Sequence, residues 1–143
     1  MKISAILDRK GREVQTIRPQ TPMVVALHRM ESTAVGCLVV VNDDGRPVGV
    51  LSERDVVTGL VRHEEGILSL HARDVAATDV ITCRLSDEVD AVMARMTLRR
   101  QRHVPVLDDE GHLAGLVSLG DLAKSRLDDL ELETHVLRDL THR

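Results

Sequence analysis

The chain repeats itself. A shift of 66 positions lays "GVLSERD" (49–55) over "GLVSLGD" (115–121), so Gly49, Ser52 and Asp55 fall on Gly115, Ser118 and Asp121. The echo extends far beyond that motif. Val14, Thr16 and Arg18 fall on Val80, Thr82 and Arg84; Arg29 and Met30 on Arg95 and Met96; Val40, Asp43 and Gly45 on Val106, Asp109 and Gly111. A unit written twice restricts the fold to arrangements in which two copies of one supersecondary element bury each other's apolar faces.

Each copy reads the same way. A short strand comes first, "EVQTI" (13–17) and "DVITC" (79–83). A helix follows. Thr21 is its N-cap in the first copy, with Pro22 at the first helical position, where a missing N–H costs little. Asp87 is the cap in the second copy, with Glu88 in the first turn. Val24, Leu27 and Met30 form the apolar stripe of one helix, and Val89, Val92, Met93 and Met96 that of the other. Two β-branched runs around a turn then predict a hairpin, "CLVVVNDDGRPVGVLS" and "HVPVLDDEGHLAGLVS". Each hairpin feeds a second helix starting near Ser52 or Ser118. The unit is β-α-β-β-α, an α/β class. Three strands and two helices cannot cover both faces of their own sheet, which predicts two copies packed sheet to sheet. The division falls at 1–66 and 67–143. The linker "RHEEGILSLHARDVAATD" holds one helical turn near Ala72 to Ala76. The tail continues the last helix, with Leu130, Leu137 and Leu140 on one face and Leu127 nearby, a stripe suited to packing, self-association included.

Composition closes off several functions. The chain has no Phe, Tyr or Trp. Its core must be aliphatic, and the aromatic platforms on which single-stranded nucleic acids stack are absent. The net charge of −4 comes from interspersed acids and bases, without the basic stripe of a nucleic-acid binder. No apolar run suits a signal peptide or a membrane span, so a cytoplasmic location is expected. Cys37 and Cys83 lack metal-type spacing and read as small buried hydrophobes. No HExxH, no phosphate-binding GxxxxGK[ST] loop and no nucleophile elbow occurs, so neither catalysis nor a metal is expected.

The Ser-x-x-Asp motif has two readings. One is a capping box, in which the serine hydroxyl accepts an N–H three residues on and the acid reaches back. The other is a ligand site: a helix start suits a phosphate, and a carboxylate with two acceptor oxygens suits a vicinal ribose diol. Duplication, a glycine three residues ahead of each serine, and "RHVPV" before the second hairpin strand favour the ligand reading. Pro105 cannot donate to a sheet ladder, which leaves neighbouring backbone groups to read a base. Arg102 and His103 lie beside it.

The duplicated β-α-β-β-α unit, with "RHVPV" and the paired "GVLSERD" and "GLVSLGD", resembles a tandem pair of CBS domains, the cystathionine-β-synthase or Bateman module, of the stand-alone bacterial type without an attached catalytic domain. The resemblance covers about Val14 to Arg126. It implies two repeats about a pseudo-two-fold axis, two clefts for an adenosyl ligand (AMP, ADP, ATP, NAD(H) or S-adenosylmethionine) and a disc-like homodimer. By position, one cleft uses Ser52, Arg54 and Asp55 with the strand Val80 to Thr82 and the segment Arg102, His103, Val104, Pro105. The other uses Ser118 and Asp121 with Lys10, Thr16 and the segment Gly36, Cys37, Leu38. The first copy lacks the proline and both basic groups of "RHVP", so the second cleft should be more apolar and the two should differ in affinity or ligand. The function implied is an adenine-nucleotide sensor acting in trans, on an unnamed downstream protein, or through a homo-oligomer. The alternative is an interaction protein that dimerises through its helices and has weak or lost ligand binding.

Overall fold

A computed structural model describes residues 1–141 of the chain. The elements in order are α1 (Ile3–Lys10), β1 (Thr16–Ile17), α2 (Met23–Thr33), β2 (Cys37–Val41), β3 (Pro47–Ser52), α3 (Glu53–His63), a 3-10 turn (Glu64–Ser69), α4 (Ala72–Val75), β4 (Cys83–Arg84), α5 (Val89–Arg99), β5 (His103–Leu107), β6 (Leu113–Ser118) and α6 (Leu119–Thr141). Two three-stranded sheets result, ordered β1-β2-β3 and β4-β5-β6. In each, the first strand runs parallel to the central one and the hairpin is antiparallel. The expected β-α-β-β-α unit is therefore present twice. The hairpin turns place Gly45 and Gly111 at φ 75° and 83°, a conformation that glycine adopts without a Cβ penalty.

The N-terminal helix α1 and the 3-10 turn were not among the expected elements, and they complete the cores. Ile3, Ile6 and Leu7 of α1 pack with Val92, Met96, Val104 and Val117 of the second repeat. Ile67 of the 3-10 turn and Ala72 of α4 pack with Met23, Leu38 and Leu51 of the first. The segment that precedes each repeat thus fills the core of the other. Its backbone also caps the partner's helix: Met23 N–H donates to Leu70 O at 2.9 Å and Val89 N–H to Met1 O at 2.9 Å.

Three local expectations need correction. The helix caps lie one residue later than expected, at Pro22 and Glu88. Thr21 and Asp87 close the turn before the helix, accepting from the N–H groups of Arg18 and Arg84. Val24 is exposed, and Met23, Ala26 and Met30 carry the buried stripe. Val80 to Thr82 lie outside β4, which begins one residue later than the repeat predicts. The cause is Pro105. In the first repeat Val39 N–H donates to Gln15 O at 3.0 Å; Pro105 occupies the equivalent place and has no N–H to give Ile81.

Candidate functional site

The glycines of the repeated motif do not admit a ligand. A Cβ on Gly49 would sit 2.6 Å from the carbonyl oxygen of Ala77, and one on Gly115 would sit 2.6 Å from Leu7 Cδ1. Each glycine instead makes room for the exchanged segment. Ala77, beyond the end of α4, pairs with Val50 as an isolated antiparallel bridge through two 2.9 Å hydrogen bonds.

The capping-box reading of Ser-x-x-Asp holds, and at Asp55 it uses one carboxylate oxygen. Ser52 Oγ accepts from Asp55 N–H at 3.3 Å, while Asp55 Oδ2 accepts from Ser52 N–H and Ser52 Oγ–H, each at 2.8 Å. All of these carboxylate bonds fall on Oδ2, and Oδ1 accepts none among the described residues. Ser118 and Asp121 form the same box. The Glu53 and Leu119 N–H groups donate to Gly36 O and Arg102 O, so part of each helix start is already satisfied.

Ser52 and Asp55 open into a cleft of about 580 Å³ between the repeats, a volume in the range of small-molecule sites, roughly 300–1,000 Å³. Arg54, Val80, Arg102 and His103 line it, as expected. Val104 and Pro105 are buried in the central strand and Thr82 lies off the cleft. Arg99, Arg100 and Gln101 line it as well. The basic run "RRQRH", which leads into β5 at His103, was the signal for them. Four arginines face three carboxylates, Glu53, Asp55 and Asp79. One of them, Arg99, pairs with Asp79 at 3.2 Å.

Ser118 and Asp121 line a second cleft of about 540 Å³, with Lys10, Gly36 and Cys37 as expected. Thr16 and the fully buried Leu38 do not reach it; Glu13, Gln15, Thr33, Val35 and Leu116 do. Its wall is less basic, with one lysine against four arginines, but it is not the more apolar wall expected, because Lys10, Glu13, Gln15 and Thr33 line it. Its carboxylate is also engaged: Lys10 Nζ donates to Asp121 Oδ2 at 2.6 Å and to Leu116 O at 3.0 Å. Burial pushes the Asp121 carboxyl up, but the Lys10 hydrogen bond, the Ser118 N–H and the Lys10 charge outweigh it and hold the group below its ordinary value.

His103 lines both clefts. Burial lowers its pKa, with the Asp121 carboxylate opposing and Lys10 assisting. The imidazole is therefore held more firmly in its neutral form than an exposed histidine. Burial pushes the Cys37 thiol up to about 12, assisted by the Asp55 charge. Among the described residues one cluster has metal-ligand chemistry: Asp108, Glu110 and His112 on the second hairpin turn. Asp108 Oδ1 accepts the N–H groups of Glu110 and His112, which makes it a turn cap. No helix among the described residues is long and apolar enough to cross a membrane.

Comparison with known proteins agrees with this geometry. The CBS domain model matches residues 6–62 and again 72–128. An uncharacterized protein of Methanopyrus kandleri is 32% identical over 111 residues, 78% of this chain and 57% of that protein. The inosine-5'-monophosphate dehydrogenase of Thermoplasma acidophilum is 32% identical over 111 residues, but the match spans only 21% of that enzyme. A CBS-domain-containing protein from Agrobacterium tumefaciens superposes with a TM-score of 0.82 and 33% identity, covering 88% of this chain and 99% of that one. A CBS domain protein from Pyrobaculum aerophilum, solved in complex with AMP, has a TM-score of 0.79 and 28% identity, covering 94% of this chain and 99% of that one.

Proposed function

The chain belongs to the CBS-domain family as a pair of repeats, and on that premise we propose that it is a regulatory module whose clefts take an adenosyl nucleotide of the AMP, ATP or NAD(H) class. The observation that carries this is Asp55. Its Oδ2 holds the helix start, and its Oδ1 accepts none of the hydrogen bonds among the described residues, while the side chain lines a cleft rich in arginine. A ribose diol on Oδ1 and a phosphate near Arg54 and Arg102 use groups that the fold leaves available. The Pyrobaculum relative, with AMP bound, supports the ligand class. The Ser52/Asp55 cleft is the stronger site, because the Asp121 carboxylate already carries the Lys10 ammonium and its cleft has none of the four arginines that line the other. Ligand bound between the repeats favours one relative arrangement of them to the extent that it binds that arrangement better, and that difference is the signal. Output in trans or through a homodimer fits the leucines of α6: Leu127, Leu130, Leu137 and Leu140 are 48–62% exposed. This face also favours the second reading, a dimerising interaction protein.

Calorimetry with AMP, ATP and NADH tests the reading, on the unaltered chain and on Asp55→Asn and Asp121→Asn. Asn keeps one acceptor for the cap and loses the second. Binding that weakens most in Asp55→Asn is expected. Silence of every ligand at millimolar concentration rejects the sensor reading.

A further inference from the structure

The break that Pro105 makes in the second sheet is filled by a side chain. Gln101 Oε1 accepts from Ile81 N–H at 2.8 Å, and Gln101 Nε2 donates to Ile81 O at 2.9 Å and to His103 O at 2.9 Å. The first repeat has no such device: its equivalent residue is Val35, and Val39 N–H satisfies Gln15 O directly. Gln101 lines the Ser52/Asp55 cleft together with Val80, the neighbour of Ile81.

The N–H and C=O of one extended residue form a side-by-side donor and acceptor. The complement is a group with an acceptor beside a donor. A carboxamide is one, and the N1 and 6-amino edge of adenine is another. A purine that carries a 6-oxo group instead presents N1–H beside an acceptor, the reverse order. Both N–H bonds of the Gln101 carboxamide are already used, so it has no donor left to offer a ligand.

We propose that the Gln101 carboxamide is a resident stand-in for the base, a gate on the Ile81 edge of the Ser52/Asp55 cleft that an adenine must displace in order to bind. This rests on the nucleotide-binding reading above. The gate closes the edge that the missing proline N–H opens, so that both the N–H and the C=O of Ile81 are satisfied. It also sets a threshold: the affinity of an adenine is reduced by the cost of releasing Gln101, whereas a 6-oxopurine, whose groups run in the wrong order for the Ile81 edge, has nothing to gain by displacing the carboxamide and leaves the gate closed.

The test is calorimetric titration of AMP and of IMP into the full chain, Gln101→Ala, and Asp55→Asn. Removing the gate is expected to tighten AMP about tenfold, which corresponds to ~1.4 kcal/mol of released competition, and to leave IMP unchanged. Gln101→Met, similar in volume but without the carboxamide, gives the same comparison should the alanine variant lose its fold by circular dichroism. AMP binding that is unchanged or weaker in a folded Gln101 variant, while Asp55→Asn still abolishes it, overturns the gate and leaves the nucleotide site standing. An equal gain for AMP and IMP also overturns it, because that is simple enlargement of the cleft. Silence of AMP in every variant, Gln101→Ala included, defeats the nucleotide reading and the gate with it.

Discussion

The exchange of leading segments makes a quantitative prediction at Leu7 and Gly115. Leu7 is fully buried in the second repeat's core. A Cβ added at Gly115 would lie 2.6 Å from Leu7 Cδ1 and 3.0 Å from Cδ2. Gly115 has no positive φ, so alanine suits its backbone and the cost of Gly115→Ala is steric. Overpacking of this kind costs about 1–3 kcal/mol. Leu7→Ala alone should cost about 2–5 kcal/mol through lost burial and a cavity. Leu7→Ala also removes the two atoms that Gly115→Ala strikes, and the new methyl then enters the vacated space. The double variant should be no less stable than Leu7→Ala, a coupling of about 1–3 kcal/mol in favour of the pair. Urea unfolding followed by far-ultraviolet circular dichroism measures it, since a chain without Trp or Tyr has little intrinsic fluorescence to follow. Additivity of the two costs within about 0.5 kcal/mol would refute the packing of α1 across the repeat boundary.

Gly49→Ala meets a backbone oxygen instead of a side-chain end. It should lower the urea midpoint more than Gly115→Ala does in the Leu7→Ala background; an unchanged midpoint contradicts the Val50–Ala77 pairing. Burial raises both thiols to about 12, the Asp55 charge adding to it at Cys37 and the Asp87 charge at Cys83, where Arg95 opposes. Both cysteines should therefore be inert to a disulfide reagent at pH 8 until the chain is denatured, and prompt reaction of the native chain contradicts their placement. Because Asp121 is held below its ordinary value, its contribution to stability is present above the unfolded carboxyl pKa of about 4 and is lost as the pH falls through the folded one. Lys10→Met should therefore destabilise the chain at pH 7 and leave little difference at strongly acid pH, as read from urea midpoints. A difference that persists in acid contradicts the Lys10–Asp121 linkage.

The elements built from local pattern were readable from the residues alone. Both hairpins begin and end where the β-branched runs do, because turn glycines and alternation act over a few residues. The capping serines were equally visible. The elements that depend on partners distant in the chain were not. Nothing in "ISAILDRK" says that Ile3 and Leu7 enter the second repeat, and the role of Gly49 appears only once the Ala77 carbonyl is beside it. Val24 was placed on the buried face although the repeat aligns Met23 with the buried Val89; the 66-residue register held better information than the spacing within one helix. At the cleft, Ser52, Asp55, Arg102 and His103 come together as the duplicated motif suggested. Gln101 was missed because its part follows from a hydrogen bond that Pro105 removes one strand away.

The most direct measurement is a crystal structure of the chain grown with AMP. The ribose hydroxyls are predicted on the free oxygen of Asp55, with the phosphate near Arg54 or Arg102. AMP seated elsewhere on the molecule, with Asp55 still serving Ser52 alone, would contradict the assignment.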